Sequence, residues 1–456
     1  MMVVRLIVLL SVVGVAGSDP SALVRRLGSP KYADREAASA AIERLGPDAL
    51  PSLRAARTAP DAEIRSRAVA LVERIENDLM VRPTTVVVDF RDEPLVAVLA
   101  KLSDRGRANL LLAPRAGAYR DRRITLVRPA PVSFWEAVDM VAAAGGLELS
   151  GGLPTGNFGP NSPGSLAFML IPSVEGSKPP PVSRPGPFRV TLLNVTHNKE
   201  RNFGGISGVA QPDLGGVRNV AESEQFYAGL QVLVEPRMTV SQNGPARLTV
   251  AEDDLGNSLL SSQAPGGLGS SHTSAYNQYE SPSGTAIQTT LGLKFPEGAG
   301  RTIKTLRGVV PVTLTARKGD PLVIPLAAAG GKTYHHADSV VTIHEVKATP
   351  TLRQTILELT IQGARPPDDN VNGFAGNFPG PRGPIPTQSP FEIVDAQGRS
   401  LPRWLPLTQF QTPEGWRMTV RVVQTAATGP PTHLRFYEST RVDMDVDFMF
   451  HDVDMP

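Results

Sequence analysis

The residues able to do chemistry are scattered, and few of them stand at spacings that would close on a reacting group. Arg115, Arg120, Arg122, Arg123 and Arg128 crowd one segment with only Asp121 opposing them. Guanidinium groups gathered in this way suit recognition of phosphate or carboxylate, and the same charge run also reads as a solvated loop. Asp443, Asp445 and Asp447 alternate along one run, so they would share one face of a strand. Neighbours on that face stand roughly 6.6 Å apart, too far for all three carboxylates to close on a single cation, so the row reads as a wet face. Asp253-x-x-Gly256-x-Ser258-Leu259 recurs as Asp395-x-x-Gly398-x-Ser400-Leu401. An EF-hand loop needs oxygen ligands at alternating positions and a closing Glu, which Leu255 and Gln397 do not supply. An Asp that accepts from its own backbone before a positive-φ Gly makes the motif a turn.

Other signals fail on spacing. Adjacent His335 and His336 would point to opposite faces of a strand, and with His344 they read as surface histidines. Gly330-Gly331-Lys332-Thr333 imitates the end of a phosphate loop, yet Leu326 stands where the first glycine belongs. No Gly-x-Ser-x-Gly elbow or His-Glu-x-x-His pair occurs, and with no cysteine there is neither a thiol nucleophile nor a thiolate metal site. The sequence therefore nominates no catalytic residue, metal ligand or cofactor. What it does contain is long segments of Gly, Pro, Asn and Ser at 196–223, 261–284 and 363–390, dotted with Phe203, Tyr276, Tyr279, Phe374 and Phe378. That is a binding-loop composition, and equally a composition of flexible surface filler.

The elements that would position these residues follow from composition and periodicity. At 456 residues, 41% apolar and 20% charged, the chain can build several cores. Gly and Pro at 42 each and aromatics at 5% favour short strands and turns over long helices. A formal charge of +2 argues against a nucleic-acid binder that works through a strong basic field. Residues 1–17 join one early positive charge, an apolar run from Leu6 to Val15 and the small residues Val15-Ala16-Gly17. This is the form of a secretory signal peptide, too short for an anchor, and it predicts a periplasmic or extracellular mature chain with no transmembrane segment.

Residues 18–80 carry helical periodicity with an internal repeat. Arg35, Ala38, Ile42 and Leu45 recur thirty positions on as Arg65, Ala68, Val72 and Ile75, with Gly46-Pro47 and Ala59-Pro60-Asp61 as breaks. The pattern resembles the HEAT-like repeats of exported bacterial proteins, which implies protein binding or a packing role. Residues 82–174 read as two β-α-β units, with Leu95, Val98, Leu99, Leu102 and Gly106 matched by Phe134, Ala137, Val138, Val141 and Gly145. In order and size they resemble the secretin and TonB short N-terminal (STN-like) domain, and the resemblance implies protein–protein contacts without chemistry. No pore-forming β-domain follows, so a secretin is not expected.

A Pro-rich stretch at 175–187 reads as a stiff linker. Beyond it, 188–330 and 338–456 share four landmarks in the same order. Val190-Thr-Leu-x-x-Val195 pairs with Val341-Thr-Ile-x-x-Val346, and Leu230–Val234 with Ile356–Ile361. The two Asp-x-x-Gly motifs come next, then Lys304–Arg307 with Thr432–Arg435. The expected fold is thus multidomain: a small all-α domain, an α+β domain, and two tandem antiparallel β-sandwiches of Ig-like architecture. The functional expectation is a non-enzymatic exported envelope protein, a protein-interaction or scaffold module whose partners are envelope proteins or glycan and not nucleic acid. The alternative is an exported hydrolase of polysaccharide or peptide, its site assembled from residues distant in sequence.

Overall fold

The structure, a computed structural model, describes residues 19–150, 167–174, 176, 178–202, 221–261, 284–319, 321–336, 339–363, 390–401, 404–424 and 428–456. A small helical region is followed by a mostly β part with several antiparallel sheets. The chain divides into two units, residues 1–82 and 83–456. The expected signal segment lies outside the described residues. No helix among the described residues is long and apolar enough to cross a membrane.

In the first unit, α1 (Pro20–Arg26), α2 (Tyr32–Leu45), α3 (Leu50–Ala56) and α4 (Ala62–Val81) enclose one core. Asp19 and Asp61 start α1 and α4 by accepting from backbone N–H groups of the first turn, and Gly46 at φ 59° ends α2. The repeated apolar positions meet inside: Ala38, Ile42, Ala68, Val72 and Ile75 are buried and Leu45 partly so. The repeated arginines play one role twice. Arg35 Nη1 donates to the carbonyls of Ser29 and Pro30 at 2.8 and 3.4 Å, and Arg65 Nη1 to those of Ala59 and Pro60 at 2.6 and 2.7 Å. Each ties down the loop that enters its own helix, satisfying carbonyls the turn leaves open.

The second unit begins with the α+β body. It contains β1 (Thr85–Val86), β2 (Asp89–Pro94), α5 (Leu95–Gly106), β3 (Asn109–Leu112), β4 (Arg123–Val127), β5 (Val132–Ser133), α6 (Phe134–Gly145), β6 (Leu147–Leu149) and β7 (Ala167–Pro172). The two expected units are related by exchange. β1 pairs β5 and β2 pairs β4, both antiparallel, while β7 runs between β3 (parallel) and β6 (antiparallel). The N–H of Leu95 that opens α5 donates to the carbonyl of Arg122, and that of Phe134, opening α6, to Thr84. Gly106 at the end of α5 lies against the Phe134 ring, and Gly145 at the end of α6 lies against Leu95. All ten matched positions are buried.

The β part has β8 (Val182–Ser183), β9 (Phe188–Asn202), β10 (Ala221–Val234), β11 (Met238–Gln242), β12 (Arg247–Asp253), β13 (Ala286–Leu293) and β14 (Thr302–Arg317). These are followed by β15 (Leu322–Pro325), β16 (Lys332–His336), β17 (Ser339–Thr349), β18 (Gln354–Gln362), β19 (Phe391–Val394), β20 (Trp404–Thr412), β21 (Gly415–Val423), β22 (His433–Phe436) and β23 (Ser439–Asp454). One sheet runs β13-β10-β9-β8 and another β16-β17-β18-β21-β20. The landmarks occupy like places: β9·β10 and β17·β18 are hairpin partners, β13 and β21 join the far side of β10 and β18, and β12·β14 answers β19·β22.

Two expected boundaries do not follow the pairing. β23, placed by sequence in the region 338–456, instead pairs with β14 from Thr302↔Asp454 to Arg317↔Ser439. β15, placed in 188–330, pairs with β22. Strand length explains the exchange, because sixteen-residue β23 finds a full-length partner in sixteen-residue β14, whereas β22 has four residues. The period-two alternation of β23 holds, with Val446, Phe448 and Phe450 buried and Asp443, Asp445 and Asp447 exposed. Within the Pro-rich stretch 175–187, β8 pairs β9, and the Pro187 carbonyl accepts from Trp135 Nε1 and from Glu235 N.

Candidate functional site

The arginine segment is divided by the fold. Arg123 makes a two-pronged pair with Asp92, at 3.1 and 3.0 Å, and so braces a residue held at φ 52°. Arg122 Nη1 donates to the carbonyl of Gly145 at 2.8 Å and its guanidinium lies over the Tyr119 ring. These two are spent on the α+β body. Arg115, in the 3-10 turn Pro114–Tyr119, and Arg120, which ends it, are exposed. The candidates Phe203, Tyr276, Tyr279, Phe374 and Phe378 lie outside the described residues.

The paired Asp motifs are built alike. Asp253 Oδ1 accepts from the N–H groups of Leu255 and Asn257, and Oδ2 from Asn257 Nδ2 and the N–H of Gly300. Asp395 Oδ1 accepts from Gln397 N and Arg399 N, and Oδ2 from Arg399 Nε and the N–H of Gly429. Both side chains are buried, and both loops close with the Gly N–H, Gly256 or Gly398, on the aspartate carbonyl. Burial works against ionisation, but the donors together hold Asp253 below the usual carboxylate range and bring Asp395 to about 2. Their lone pairs are occupied, so each carboxylate is a plug that ties its turn to the strand beyond, as the turn reading expects. On β23, Asp445 pairs with Arg247, Asp452 with Lys304 and Asp454 with Lys178, a face neutralised across strands. His344 Nε2 lies 2.7 Å from Thr360 Oγ1. Among the described residues no group of three or more His, Asp or Glu side chains could hold a metal ion.

A second group of buried charges lies where the α+β body meets the first β sheet, and no local signal in the sequence marks them. Glu235, 1% exposed at the end of β10, accepts from Thr84 N at 2.8 Å, Thr84 Oγ1 at 2.6 Å and Arg237 Nε at 2.8 Å. Asp139 on α6 takes Arg189 Nε at 3.0 Å and Arg184 Nε at 2.7 Å. Burial pulls the Arg189 guanidinium below its ordinary value, and Asp139 opposes the shift. Leu233 and Ala286 of the β sheet belong to the same core as Phe134, Trp135 and Phe168. Trp135 meets Phe134 and Phe168 edge-on, with ring centres 5.0 and 5.3 Å apart. The arrangement can transmit force and fix orientation; its donors and acceptors are already matched to one another.

The helical unit carries the other candidate, an open groove of about 470 Å3 lined by Ser21, Val24 and Arg25 of α1 and Pro51, Ser52, Ala55 and Ala56 of α3. Small side chains make the furrow, and the Ser21 and Ser52 hydroxyls face each other at 3.3 Å. An apolar side chain would find Val24 and the alanines there, with two hydroxyls and the Arg25 cation at hand. Short side chains on two helices that sequence treats separately gave no signal for it. No protein family, curated protein or solved structure matches the chain.

Proposed function

We propose that the chain is a non-enzymatic exported envelope protein that presents protein-interaction modules on a β scaffold. The observation that carries this reading is the interlock at Glu235 and Asp139, where buried charge is committed to holding one module against the next. A residue engaged in three or four structural bonds is poorly placed to exchange protons with a substrate, whereas rigid joints suit a protein whose task is to hold surfaces in register. On this reading residues 18–80 are a HEAT-like module and 82–174 an STN-like one. The β part is two sandwiches of Ig-like architecture that arose by duplication, a history supported by the twin Asp plugs and the like order of pairing. The contact surfaces are the groove on α1 and α3, the exposed Arg115 and Arg120, and the aromatic loops; partners are envelope proteins or glycan, in the periplasm or outside the cell.

A photo-crosslinking side chain at Ser52 or at Arg120 of the full chain, expressed in a bacterial envelope, tests the proposal. Discrete adducts at these sites, lost when the buried control position Leu53 carries the probe, are the expected result. Turnover of peptide or polysaccharide by the purified chain, with no adduct at either position, overturns it.

A further inference from the structure

β14 and β23 are paired along their whole lengths, and the described strands between them, within residues 318–438, build a separate set of sheets. The core of that segment contains Ile324, Val341, Leu359, Phe391, Val420 and Phe436 and, among the described residues, draws no buried member from outside it. Its two ends leave side by side: Lys318 N donates to the Glu438 carbonyl at 2.7 Å, and Lys318 Nζ lies 3.2 Å from Glu438 Oε2. We infer that residues 318–438 are a self-contained head inserted at the tip of a β14–β23 stalk, and that Arg317, Tyr437 and Glu392 latch its orientation. The Arg317 guanidinium lies 4.9 Å from the centre of the Tyr437 ring, and the Tyr437 hydroxyl donates to Glu392 Oε2 on β19 at 2.8 Å. Stalk, connection and head are thus joined by this stack and this hydrogen bond, beside the Tyr437 N–H, which donates to the Pro390 carbonyl at 2.7 Å, and Arg435, which approaches Glu392 at 3.6 Å. The inference goes beyond the proposed function and does not depend on it, since a head on a stalk would serve an enzyme as well as a binding protein.

The geometry explains why a strand so distant in sequence joins the sheet of β11, β14 and β12. An insertion between two hairpin strands leaves the hairpin intact if its ends return to adjacent positions, which Lys318 and Glu438 do. Such a head can open without the stalk, because opening units follow cores and ladders and not sequence order.

Hydrogen exchange on the full chain decides the matter. Leu359→Asp places a charge in the head core; amides of β17, β18 and β21 are expected to exchange at least about 100-fold faster while those of β14 and β23 stay within about 3-fold of their original rates. Equal loss of protection in the stalk overturns the insertion. Should that variant not accumulate, replacing residues 319–437 by Asn-Gly, a dipeptide suited to a two-residue hairpin, gives the second measurement. Retained protection through β9–β14 supports the inference, and an unfolded or aggregated product overturns it. For the latch, Tyr437→Phe is expected to raise exchange at Lys318 and Tyr437 about 5-fold, the equivalent of one ordinary hydrogen bond, with both cores unchanged. No change at those amides removes the latch from the proposal.

Discussion

Gly106 and Gly145 are related by the exchange symmetry of the α+β body, yet the same substitution should act on them in opposite directions. Each is the last residue of its helix, and both are buried. A Cβ on Gly106 would lie 2.6 Å from Cδ2 and Cζ of Phe134, a ring with no exposed surface and with Trp135 edge-on beside it. The ring has nowhere to go, so Gly106→Ala overpacks a closed core, a change that costs about 1–3 kcal/mol and more when neighbours cannot shift. Alanine returns about 0.5–1 kcal/mol in helix propensity, leaving a net loss of roughly 2 kcal/mol. On Gly145 the nearest atom to the added Cβ is Leu95 Cδ2 at 3.4 Å, the edge of ordinary contact. There the propensity gain is expected to survive, and Gly145→Ala should be neutral or stabilising by up to about 1 kcal/mol. Hydrogen exchange of the α5 and α6 amides in the full chain reads both variants; a loss of 2 kcal/mol corresponds to about 30-fold faster exchange. If Gly106→Ala protects these amides as well as Gly145→Ala does, the close approach of α5 to Phe134 is wrong.

Asp139→Ala leaves the Arg189 guanidinium, 5% exposed, without its carboxylate, and should cost about 3 kcal/mol, the lower end for a broken buried pair because Asp139 keeps some contact with solvent; exchange in β9 and α6 measures it, and an unchanged rate would show that the interlock carries no strain-bearing charge. Asp395 has a folded pKa of about 2 against an ordinary 3.8, so its contribution is present above pH 3.8 and is lost as pH falls from 3.8 towards 2; acid unfolding of residues 318–438 should begin in that window, and Asp395→Asn should flatten it. Arg35→Ala and Arg65→Ala each free two loop carbonyls and should destabilise the helical unit by similar amounts, about 1 kcal/mol apiece by urea unfolding of the full chain followed at that unit's amides. Arg120→Ala should leave stability unaltered while Arg123→Ala raises exchange at Asp92, a contrast that tests the Arg123–Asp92 pair, since both arginines are exposed.

What sequence reasoning could reach was the local face of each element, and what escaped it was the partner of that face. Helical spacing placed Leu95, Val98, Leu99 and Leu102 inward on α5, and Gly106 and Gly145 at the helix ends, because the period of 3.6 and the stop signals are properties of the segment itself. The alternation in β23 likewise told which residues face a core. It could not tell which core, since a period of two is the same whether the neighbour is β22 or β14. Matched length and the short reach of β22 decided that, and both belong to the assembled sheet.

The same division runs through the candidate sites. The Asp plugs were legible as turns because donor and acceptor stand within four residues of each other. Glu235 was not, because its first donor is Thr84, 151 residues upstream. Nor could composition divide the arginines: Arg122 and Arg123 differ from Arg120 only in what the fold sets before them, a carbonyl and a carboxylate in the one case and solvent in the other. At these sites the aspartate bonds within four residues shape turns, while the long-range ones at Glu235 and Asp139 fasten modules. The position of a charged residue relative to a module joint is therefore a better guide to its role than the density of charge around it in sequence.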